Sequence, residues 1–363
     1  MSGVYIIAEA GVNHNGELDK ALALVDVAAE AGADAVKFQT FKAESVVSAD
    51  APKAEYQKST TDVAESQLDM IRRLELNKDQ HHRLMTRCKE RGIDFLSTPF
   101  DHDSLRFLVD EMKLKTLKIP SGEITNGPLL LAAASSGAKI ICSTGMSSME
   151  EVADALGVFA FGYAMPGKPP SRDAFGQAFA SAAGKTALKE NVALLHCTTE
   201  YPAPFEDINL RAMDALAETF DLPVGLSDHS AGIAVAIAAA ARGAAIIEKH
   251  FTLDRSLPGP DHKASLEPGE LKEMITAIRH VTAALGDGVK QIRPSETANL
   301  SIARKSLFAA KDIRKGEIIT ADHLTAMRPG TGVSPMEYWR HINKPAECDI
   351  AEGEMIQSAR KKN

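Results

Sequence analysis

Two histidines follow two predicted strands, and this placement suits a shared metal ion. The apolar run Leu222–Leu226 ends shortly before His229, and Ala245–Ile247 ends shortly before His250. The alanine-rich segment Gly232–Ala241 between them has helical composition. A strand–helix–strand unit makes the two strands parallel neighbours, so each delivers one imidazole at its carboxyl end. Two buried, hydrogen-bonded histidines are the structural alternative. The carboxylates beside both histidines favour the metal.

Two lysines lie inside predicted strands that are otherwise apolar. They are Lys37 in the second strand and Lys118 in the fourth. A lysine in a protein interior is costly unless an anion accompanies it. The pair therefore predicts a site for a phosphate or a carboxylate, with ion pairs to Glu9 and Glu123 as the structural alternative. The same two glutamates are candidate acid–base groups.

Hydroxyl side chains recur where the predicted strands end, and hydroxyls suit phosphate oxygens. Asp261 follows a Pro-Gly-Pro loop and is a candidate ligand or a turn residue. His14 and His262 are further candidate metal ligands, but their loop positions favour solvated roles. The recurring hydroxyls are Thr98, Ser121, Ser143, Thr144 and Ser227.

Eight apolar, strand-like runs alternate with helical segments over residues 1–285. This alternation and length predict an α/β fold, a (β/α)₈ barrel, whose chemistry takes place at the carboxyl ends of the strands. The rival is a doubly wound open sheet, but the dinucleotide-binding glycine fingerprint is missing after the first strand. Residues 161–189 break the period and are predicted to be an insertion. The runs are Val4–Ala8, Ala35–Gln39, Asp94–Ser97, Thr116–Ile119, Lys139–Cys142, Val192–Leu195, Leu222–Leu226 and Ala245–Ile247.

The last part of the chain is predicted to form a second, smaller domain. Residues 286–303 contain a Gly-Asp-Gly break and the polar, proline-marked Arg293–Glu296, so they are predicted to be a linker. A strand-like run begins at Ser306, and residues 304–363 form the small unit.

Composition narrows the classes of protein. The net charge of −8 and the low aromatic content of 5% argue against binding nucleic acid or an anionic membrane. The four cysteines form no C-x-x-C pair, which is typical of free thiols in a reducing cytoplasm. We see no leader-like start and no apolar run of membrane-spanning length. The sequence predicts a cytoplasmic protein.

The candidate site residues lie within short sequence motifs, and further motifs occur along nearly the whole chain. With them the sequence resembles the sialic acid synthase family, and its last part resembles the antifreeze-like (SAF) domain of that family. The motifs are IAEAGVNHNG (Ile7–Gly16), AVKFQTF (Ala35–Phe41), APKAEYQ (Ala51–Gln57), STPFD (Ser97–Asp101), KIPSGE (Lys118–Glu123), STGM (Ser143–Met146), HCTTEYPAP (His196–Pro204), GLSDHS (Gly225–Ser230), EKHFTLD (Glu248–Asp254), PGPDH (Pro258–His262), RPGTG (Arg328–Gly332) and SPMEYW (Ser334–Trp339).

The resemblance implies a transferase that condenses phosphoenolpyruvate with an N-acetylated amino sugar. The first expectation is an N-acetylneuraminate synthase using N-acetylmannosamine, with phosphate released by C–O cleavage. The alternative is a legionaminic acid synthase, or less favourably a pseudaminic acid synthase, using a 2,4-diacetamido-2,4,6-trideoxyhexose. A divalent metal polarises the sugar aldehyde. Mn²⁺ is expected, with Mg²⁺ or Co²⁺ as alternatives, and its ligands carry over to His229 and His250.

The resemblance also assigns roles to individual residues. Glu9 and Glu123 match carboxylates at the reacting centre, where Lys37 and Lys118 also lie. Arg328 matches an arginine that reaches the active site of the other subunit, which implies a domain-swapped homodimer. The sugar-contacting positions are Gln39, Tyr201 and Asp261. The phosphoenolpyruvate-binding positions are Lys37, Thr98, Lys118, Ser121, Ser143, Ser227 and Thr199, the last where some members carry asparagine.

Two rival functions come from other classes. One is a Schiff-base aldolase of the same fold, in which Lys118 or Lys37 is the nucleophile. The other is a non-catalytic carbohydrate-binding or ice-binding protein that works through the C-terminal unit. The charged and hydroxyl-bearing strand ends of a large barrel favour an enzyme over the second rival.

Overall fold

The computed structural model describes residues 3–48, 51–53 and 65–357, so the motif predicted at residues 51–57 lies mostly outside the described residues. Contacts within the chain define two compact units. The first runs from Met1 to Gly286 and the second from Asp287 to Asn363. Each unit is described by itself below.

Eight parallel strands form the centre of the first unit. Hydrogen-bonded neighbours follow the order β3-β2-β1-β8-β7-β6-β5-β4, and β3 packs beside β4. This arrangement confirms the predicted (β/α)₈ barrel. The strands are β1 (Tyr5–Gly11), β2 (Ala35–Thr40), β3 (Asp94–Pro99), β4 (Thr116–Ile119), β5 (Lys139–Ser143), β6 (Val192–Cys197), β7 (Val224–Asp228) and β8 (Ile246–His250).

Helices connect the strands on the outside of the barrel. No helix in the described part of the chain is both long and apolar enough to cross a membrane. The helices are α1 (Leu18–Ala31), α2 (Ala43–Val46), α3 (Gln67–Arg72), α4 (Lys78–Arg91), α5 (His102–Arg106), α6 (Gly127–Ser135), α7 (Met149–Ala164), α8 (Arg172–Ala180), α9 (Ala182–Asn191), α10 (Ala212–Phe220), α11 (Ala234–Ala241) and α12 (Pro268–Leu285).

Local sequence signals set where these helices begin and end. The side chain of Asn77 accepts a hydrogen bond from the Gln80 N–H at the start of α4, and the side chain of Gln80 accepts one from the Asn77 N–H. Ser148 and Glu151 form the same capping box at the start of α7. Such boxes satisfy N–H groups that a helix start leaves without partners. Gly92 ends α4 in a left-handed conformation that glycine adopts at little cost.

The core of the first unit has two layers. Side chains along a barrel strand alternate between the interior and the surrounding helices. The outward-facing apolar side chains pack against the helices, as Ile6 of β1 and Leu24 of α1 do in one large cluster. The inward-facing ones fill the barrel below the site: Ile7, Ala35, Leu96, Ile141, Leu195 and Ile246. The polar side chains at the strand ends lie above this apolar layer in the barrel interior.

The predicted insertion at residues 161–189 is helical. It holds the end of α7, all of α8 and most of α9, and α8 and α9 both pack on α7. Phe175 of α8 meets Phe161 of α7 edge to face, with ring centroids 5.2 Å apart. The insertion therefore thickens the outer helical layer between β5 and β6.

The second unit has its own small core. Strand β9 (Ser306–Ala309) pairs antiparallel with β10 (Leu324–Met327), and a short helix, α14 (Tyr338–His341), follows. Its buried apolar residues are Leu307, Ala309, Ile313, Ile319, Leu324, Val333, Ala346 and Ile356. The segment predicted as a linker contains a helix, α13 (Pro294–Ala303). Its proline occupies the first helical turn, where proline is tolerated, and Glu296 accepts a hydrogen bond from the Arg293 N–H.

A buried histidine on the inner face of α4 makes the stability of the first unit depend on pH. His81 is 1% exposed, its Nδ1–H donates to the Asn77 carbonyl, and its Nε2 lies 2.8 Å from the Thr40 hydroxyl. Burial lowers its pKa below the ordinary 6.5. His81 is therefore protonated more readily in the unfolded chain than in the folded one. Its contribution to the free energy of unfolding is complete above pH 6.5 and is lost as the pH falls below that value.

We therefore expect the stability difference between the wild type and His81→Gln to shrink in acid. The expected slope is at most about 1.4 kcal/mol per pH unit, the value for one proton. Urea unfolding at pH 7.5, 6.5 and 5.5 measures this difference. A difference that stays constant across the series would contradict the buried neutral histidine.

Candidate active site

A cavity of about 290 Å³ opens where the barrel strands end. All but two of the residues to which the family resemblance assigns a role line it. Thr144, also predicted as a phosphate-suited hydroxyl, does not line it; its Oγ1 donates to the Leu195 carbonyl at 3.1 Å. The lining includes Glu9, Lys37, Gln39, Thr98, Lys118, Ser121, Ser143, Thr199, Tyr201, Ser227, His229, His250 and Asp261. The structure therefore brings residues from nearly the whole length of the barrel unit to one mouth.

The two exceptions are Glu123 and Arg328. Glu123 is partly exposed, does not line the cavity, and accepts a hydrogen bond from the Asn126 side chain at 2.7 Å. The suggested ion pair between Lys118 and Glu123 is not present among the ion pairs of the described residues. Arg328 belongs to the second unit, where its Nε donates to the Ala303 carbonyl at 3.0 Å. Its role and the domain-swapped homodimer stay predictions.

A buried network of two lysines and two glutamates forms the floor of the cavity. Lys37 Nζ lies 2.8 Å from Glu9 Oε2 and 3.6 Å from Glu248 Oε2. Lys118 Nζ lies 3.4 Å from Glu248 Oε1. All four side chains are at most 5% exposed. Burying these charges is tolerable because each cation has an anion beside it.

The two glutamates differ in protonation. Burial raises the pKa of Glu9; the charge of Lys37 opposes this rise, the charge of Glu248 adds to it, and the net shift is upward. Burial acts in the same direction on Glu248, but Lys118, Lys37 and a hydrogen bond from Ser227 hold its pKa below the ordinary range. Near neutral pH, Glu248 is therefore a carboxylate, whereas Glu9 can hold a proton. Environments that push two pKa values apart are typical of acid–base pairs.

Glu248 is the floor residue that sequence reasoning did not assign to the site. It stands two positions before His250 on β8. Side chains two positions apart on a strand share a face, so the predicted inward position of His250 also placed Glu248 inward. That periodicity was the available signal. Lys249 between them faces away and forms a buried ion pair with Asp228 at 2.8 Å.

The two histidines lie side by side because β7 and β8 are parallel neighbours, with Asp228 opposite Lys249. The ring centroids of His229 and His250 are 5.7 Å apart. His229 donates from Nδ1 to the Thr198 carbonyl at 2.7 Å, which leaves the lone pair of Nε2 directed toward Tyr201 and Ser227. A backbone hydrogen bond on one ring nitrogen fixes the other as a ligand.

Both imidazoles are neutral, the form that binds a metal. Burial lowers the pKa of His229 to about 4, and burial with the nearby His229 lowers the pKa of His250 well below its ordinary value. His250 Nδ1 is buried and has no hydrogen-bond partner, and Asp261 Oδ2 is 3.9 Å away. Within the described ranges no group of three or more metal-binding side chains occurs. The pair thus fits an ion that takes its remaining ligands from water or substrate, as catalytic ions do.

Next to Lys118 the cavity holds hydroxyls without partners. Ser143 Oγ and Thr199 Oγ1 are buried and make no hydrogen bond. Ser121 Oγ accepts from the Gly145 N–H at 2.9 Å. A Cβ on Gly145 would come within 2.4 Å of Thr199 Oγ1, so only glycine fits against this hydroxyl. Buried polar atoms normally have partners, and both of these residues line the cavity that also contains Lys37 and Lys118. The arrangement suits an anionic ligand with several oxygens.

One side of the cavity is apolar, and sequence reasoning missed it. Helix α3 contributes Met70 and Ile71. Phe41 and Phe100 follow β2 and β3 and meet edge to face, with ring centroids 6.1 Å apart. The cavity therefore combines an ionic floor with an apolar side, as expected for a ligand that is anionic at one end only.

His14 and His262 are buried, contrary to the expectation that they are solvated. They are 1% and 0% exposed. His262 contacts the Thr252 hydroxyl at 2.7 Å and the Asn15 side chain at 3.1 Å. These contacts join loops that are distant in sequence, which local loop composition cannot show.

A polar site at the carboxyl ends of the strands of a (β/α)₈ barrel is typical of an enzyme. The NeuB family model matches residues 24–290, and the SAF domain model matches residues 304–360. The chain belongs to the NeuB family and carries a SAF domain, which confirms the family and the fold class expected from the motifs.

Similar proteins cover nearly the full chain. The N,N'-diacetyllegionaminic acid synthase of Campylobacter jejuni is 48% identical over 357 residues, 98% of this chain and 100% of that protein. The protein of the same name from Legionella pneumophila is 42% identical over 96% of this chain and 92% of its own length. The solved N-acetylneuraminic acid synthetase of Leptospira borgpetersenii is 34% identical, with a TM-score of 0.65 over 82% of this chain and 90% of its own. The chain is thus a transferase of the sialic-acid-type synthase class.

Proposed function

We propose that the protein condenses phosphoenolpyruvate with 2,4-diacetamido-2,4,6-trideoxymannose to form N,N'-diacetyllegionaminic acid. The observation that carries this proposal is the 48% identity, over 98% of this chain and the full length of the relative, to a synthase of that product. The alternative given by the sequence therefore has better support than the first expectation, N-acetylmannosamine. The apolar side of the cavity agrees with an acceptor that carries extra methyl groups.

The floor supplies the site for phosphoenolpyruvate. Lys37 and Lys118 provide positive charge, and the unpaired hydroxyls of Ser143 and Thr199 can donate to carboxylate or phosphate oxygens. Phosphoenolpyruvate has both groups, three bonds apart, and so uses several donors at once. Binding a dense anion there also offsets the cost of keeping two lysines buried.

His229 and His250 would hold the divalent metal, with Mn²⁺ as the expected ion. When bound, the ion supplies Lewis-acid polarisation of the sugar aldehyde. The protein's own contribution is orientation: the Thr198 carbonyl fixes the His229 ring, and the Asp228–Lys249 ion pair ties the end of β7 to β8.

Glu9 is suited to move the proton that the reaction requires. C3 of phosphoenolpyruvate forms a bond to the aldehyde carbon, whose oxygen becomes a hydroxyl and takes up a proton. Glu9 can hold that proton near neutral pH, because burial raises its pKa. Water then adds at C2 of the former phosphoenolpyruvate, and the C2–O bond to phosphate breaks to give the ketone and inorganic phosphate. Glu248 stays ionised and keeps both lysines in place.

The proposal is tested with phosphoenolpyruvate labelled with ¹⁸O at the bridging oxygen. With the diacetamido sugar and Mn²⁺ we expect one phosphate for each nine-carbon keto acid, with the label in the phosphate. Absence of the keto acid would overturn the proposed synthase. Label retained in the sugar acid would overturn C–O cleavage and keep the condensation.

A Schiff-base aldolase fits the site poorly. Although burial lowers the pKa of Lys37, the charges of Glu248 and Glu9 outweigh it and hold this pKa above the ordinary value. An amine nucleophile needs the opposite shift, because only the neutral amine attacks a carbonyl. Lys118 is also ion-paired with Glu248. Borohydride in the presence of pyruvate should therefore leave the protein unmodified by mass spectrometry.

A further inference from the structure

The apolar side of the cavity is a continuous surface, which we call the apolar wall. Val12, Phe41 and Leu74 form a buried cluster, and Ile71 and Phe100 pack against it while remaining partly exposed. The wall consists of Val12, Phe41, Met70, Ile71, Leu74 and Phe100, all of which line the same cavity as the two lysines.

The apolar wall lies above the ionic floor, on the side formed by β1, β2 and β3. Along each of these strands the chain passes a polar residue of the cavity first and a wall residue two or three positions later: Glu9 then Val12, Gln39 then Phe41, Thr98 then Phe100. Because the strands run outward toward the mouth, the wall is nearer to solvent than the floor. A sugar whose aldehyde reacts at the floor therefore extends its far end, C4 to C6, toward the mouth and this wall.

The side chains of the apolar wall carry no N–H, O–H or carbonyl group that could hydrogen-bond to a ligand. Among the described residues that line the cavity, the lysines and arginines are only Lys37 and Lys118, both on the floor. A hydroxyl placed against the wall would lose hydrogen bonds to water without replacement, whereas a methyl group would gain from burial. Such a surface favours a 6-deoxy sugar over its 6-hydroxy counterpart.

We infer that the apolar wall determines acceptor specificity by binding the C6 methyl and the C4 acetamido methyl of the sugar. Ile71 and Phe100 are its principal contact residues, because they are the members with part of their surface still exposed. This inference rests on the proposed function and adds the residues that separate a trideoxy acceptor from one with a C6 hydroxyl.

The test uses two sugars that differ only at C6. They are 2,4-diacetamido-2,4,6-trideoxymannose and 2,4-diacetamido-2,4-dideoxymannose, and the measurement is the ratio of their kcat/KM values. For the wild type we expect a preference of about 10- to 100-fold for the 6-deoxy sugar, the range in which an apolar pocket rejects an added hydroxyl. Ile71→Thr and Phe100→Tyr each place a hydroxyl on the wall and should reduce the ratio to about three or less, mainly by improving the 6-hydroxy sugar.

A matched control is available on the outer surface of the barrel. Ile237 of α11 is partly buried, packs against the core and does not line the cavity. Ile237→Thr makes the same chemical change and should leave the ratio at the wild-type value. Melting temperatures identify a variant that fails to fold. Because the two wall positions lie in different parts of the chain, misfolding of one variant would still leave the other available for the test.

The outcomes separate the inference from the proposed function. A collapse of the ratio in the wall variants but not in Ile237→Thr supports the inference. A wild-type ratio retained in both folded wall variants overturns the inference and leaves the proposed function intact. A wild type that uses N-acetylmannosamine as well as the diacetamido sugars overturns the proposed function, and the inference with it.

Discussion

Replacing His250 with asparagine should lower kcat about 1,000-fold and abolish tight Mn²⁺ binding. Lewis-acid polarisation contributes several kcal/mol, and each 1.4 kcal/mol is a factor of ten in rate. His250 Nδ1 is buried beside the ring of His229 and has no hydrogen-bond partner among the described residues. This nitrogen is therefore free to bind a metal. The measurements are kcat at saturating Mn²⁺ and Mn²⁺ affinity by calorimetry, the second of which is independent of turnover.

His196 provides the matched control for this prediction. It also stands near the carboxyl end of a barrel strand, β6, but its Nε2 hydrogen-bonds to the Ile208 carbonyl at 2.6 Å and it does not line the cavity. His196→Asn should keep wild-type Mn²⁺ affinity and a kcat within a few-fold. An His250→Asn variant with wild-type Mn²⁺ affinity would show that the histidine pair is structural.

Replacing Lys37 with methionine should lower kcat/KM for phosphoenolpyruvate about 100- to 1,000-fold, the usual effect of removing one preorganised charge contact. Lys37 is the lysine that contacts both Glu9 and Glu248, and it also donates to the Thr98 hydroxyl at 3.1 Å. Its loss leaves two acidic groups facing each other and removes half of the positive charge of the floor. We also expect a loss of about 3 kcal/mol in unfolding free energy, as when one partner of a buried pair is removed.

Lys249→Met distinguishes stability from substrate binding. Lys249 is as deeply buried as Lys37 and is paired with Asp228 at 2.8 Å, but it does not line the cavity. It should cost a similar unfolding free energy while leaving KM for phosphoenolpyruvate within a few-fold. Equal kcat/KM values for phosphoenolpyruvate in Lys37→Met and Lys249→Met would contradict the assignment of Lys37 to the anion-binding floor.

The parts of the site that follow from strand order were predictable from the sequence. His229 and His250 come together because an alanine-rich helix links two short apolar runs, which makes the runs parallel neighbours. Lys37 and Lys118 were recognisable as buried because each interrupts an apolar strand. Alternation along β8 also places Glu248 on the same face as His250.

The remaining features depend on contacts across the barrel. Lys118 on β4 pairs with Glu248 on β8 rather than with Glu123, five residues further along the chain. The apolar wall is built partly by helix α3, in which only Met70 and Ile71 line the cavity. Local composition does not show which side chains of such a short helix face a cavity.

The most direct test of the proposed function is a competition between acceptors. Equal concentrations of N-acetylmannosamine and 2,4-diacetamido-2,4,6-trideoxymannose are supplied with limiting phosphoenolpyruvate and saturating Mn²⁺, and both nine-carbon products are quantified by mass spectrometry. The product ratio equals the ratio of the two kcat/KM values. We predict at least about a ten-fold excess of N,N'-diacetyllegionaminic acid, the smallest effect expected from one or two methyl groups in an apolar site. An equal or larger amount of N-acetylneuraminate would contradict the proposed function.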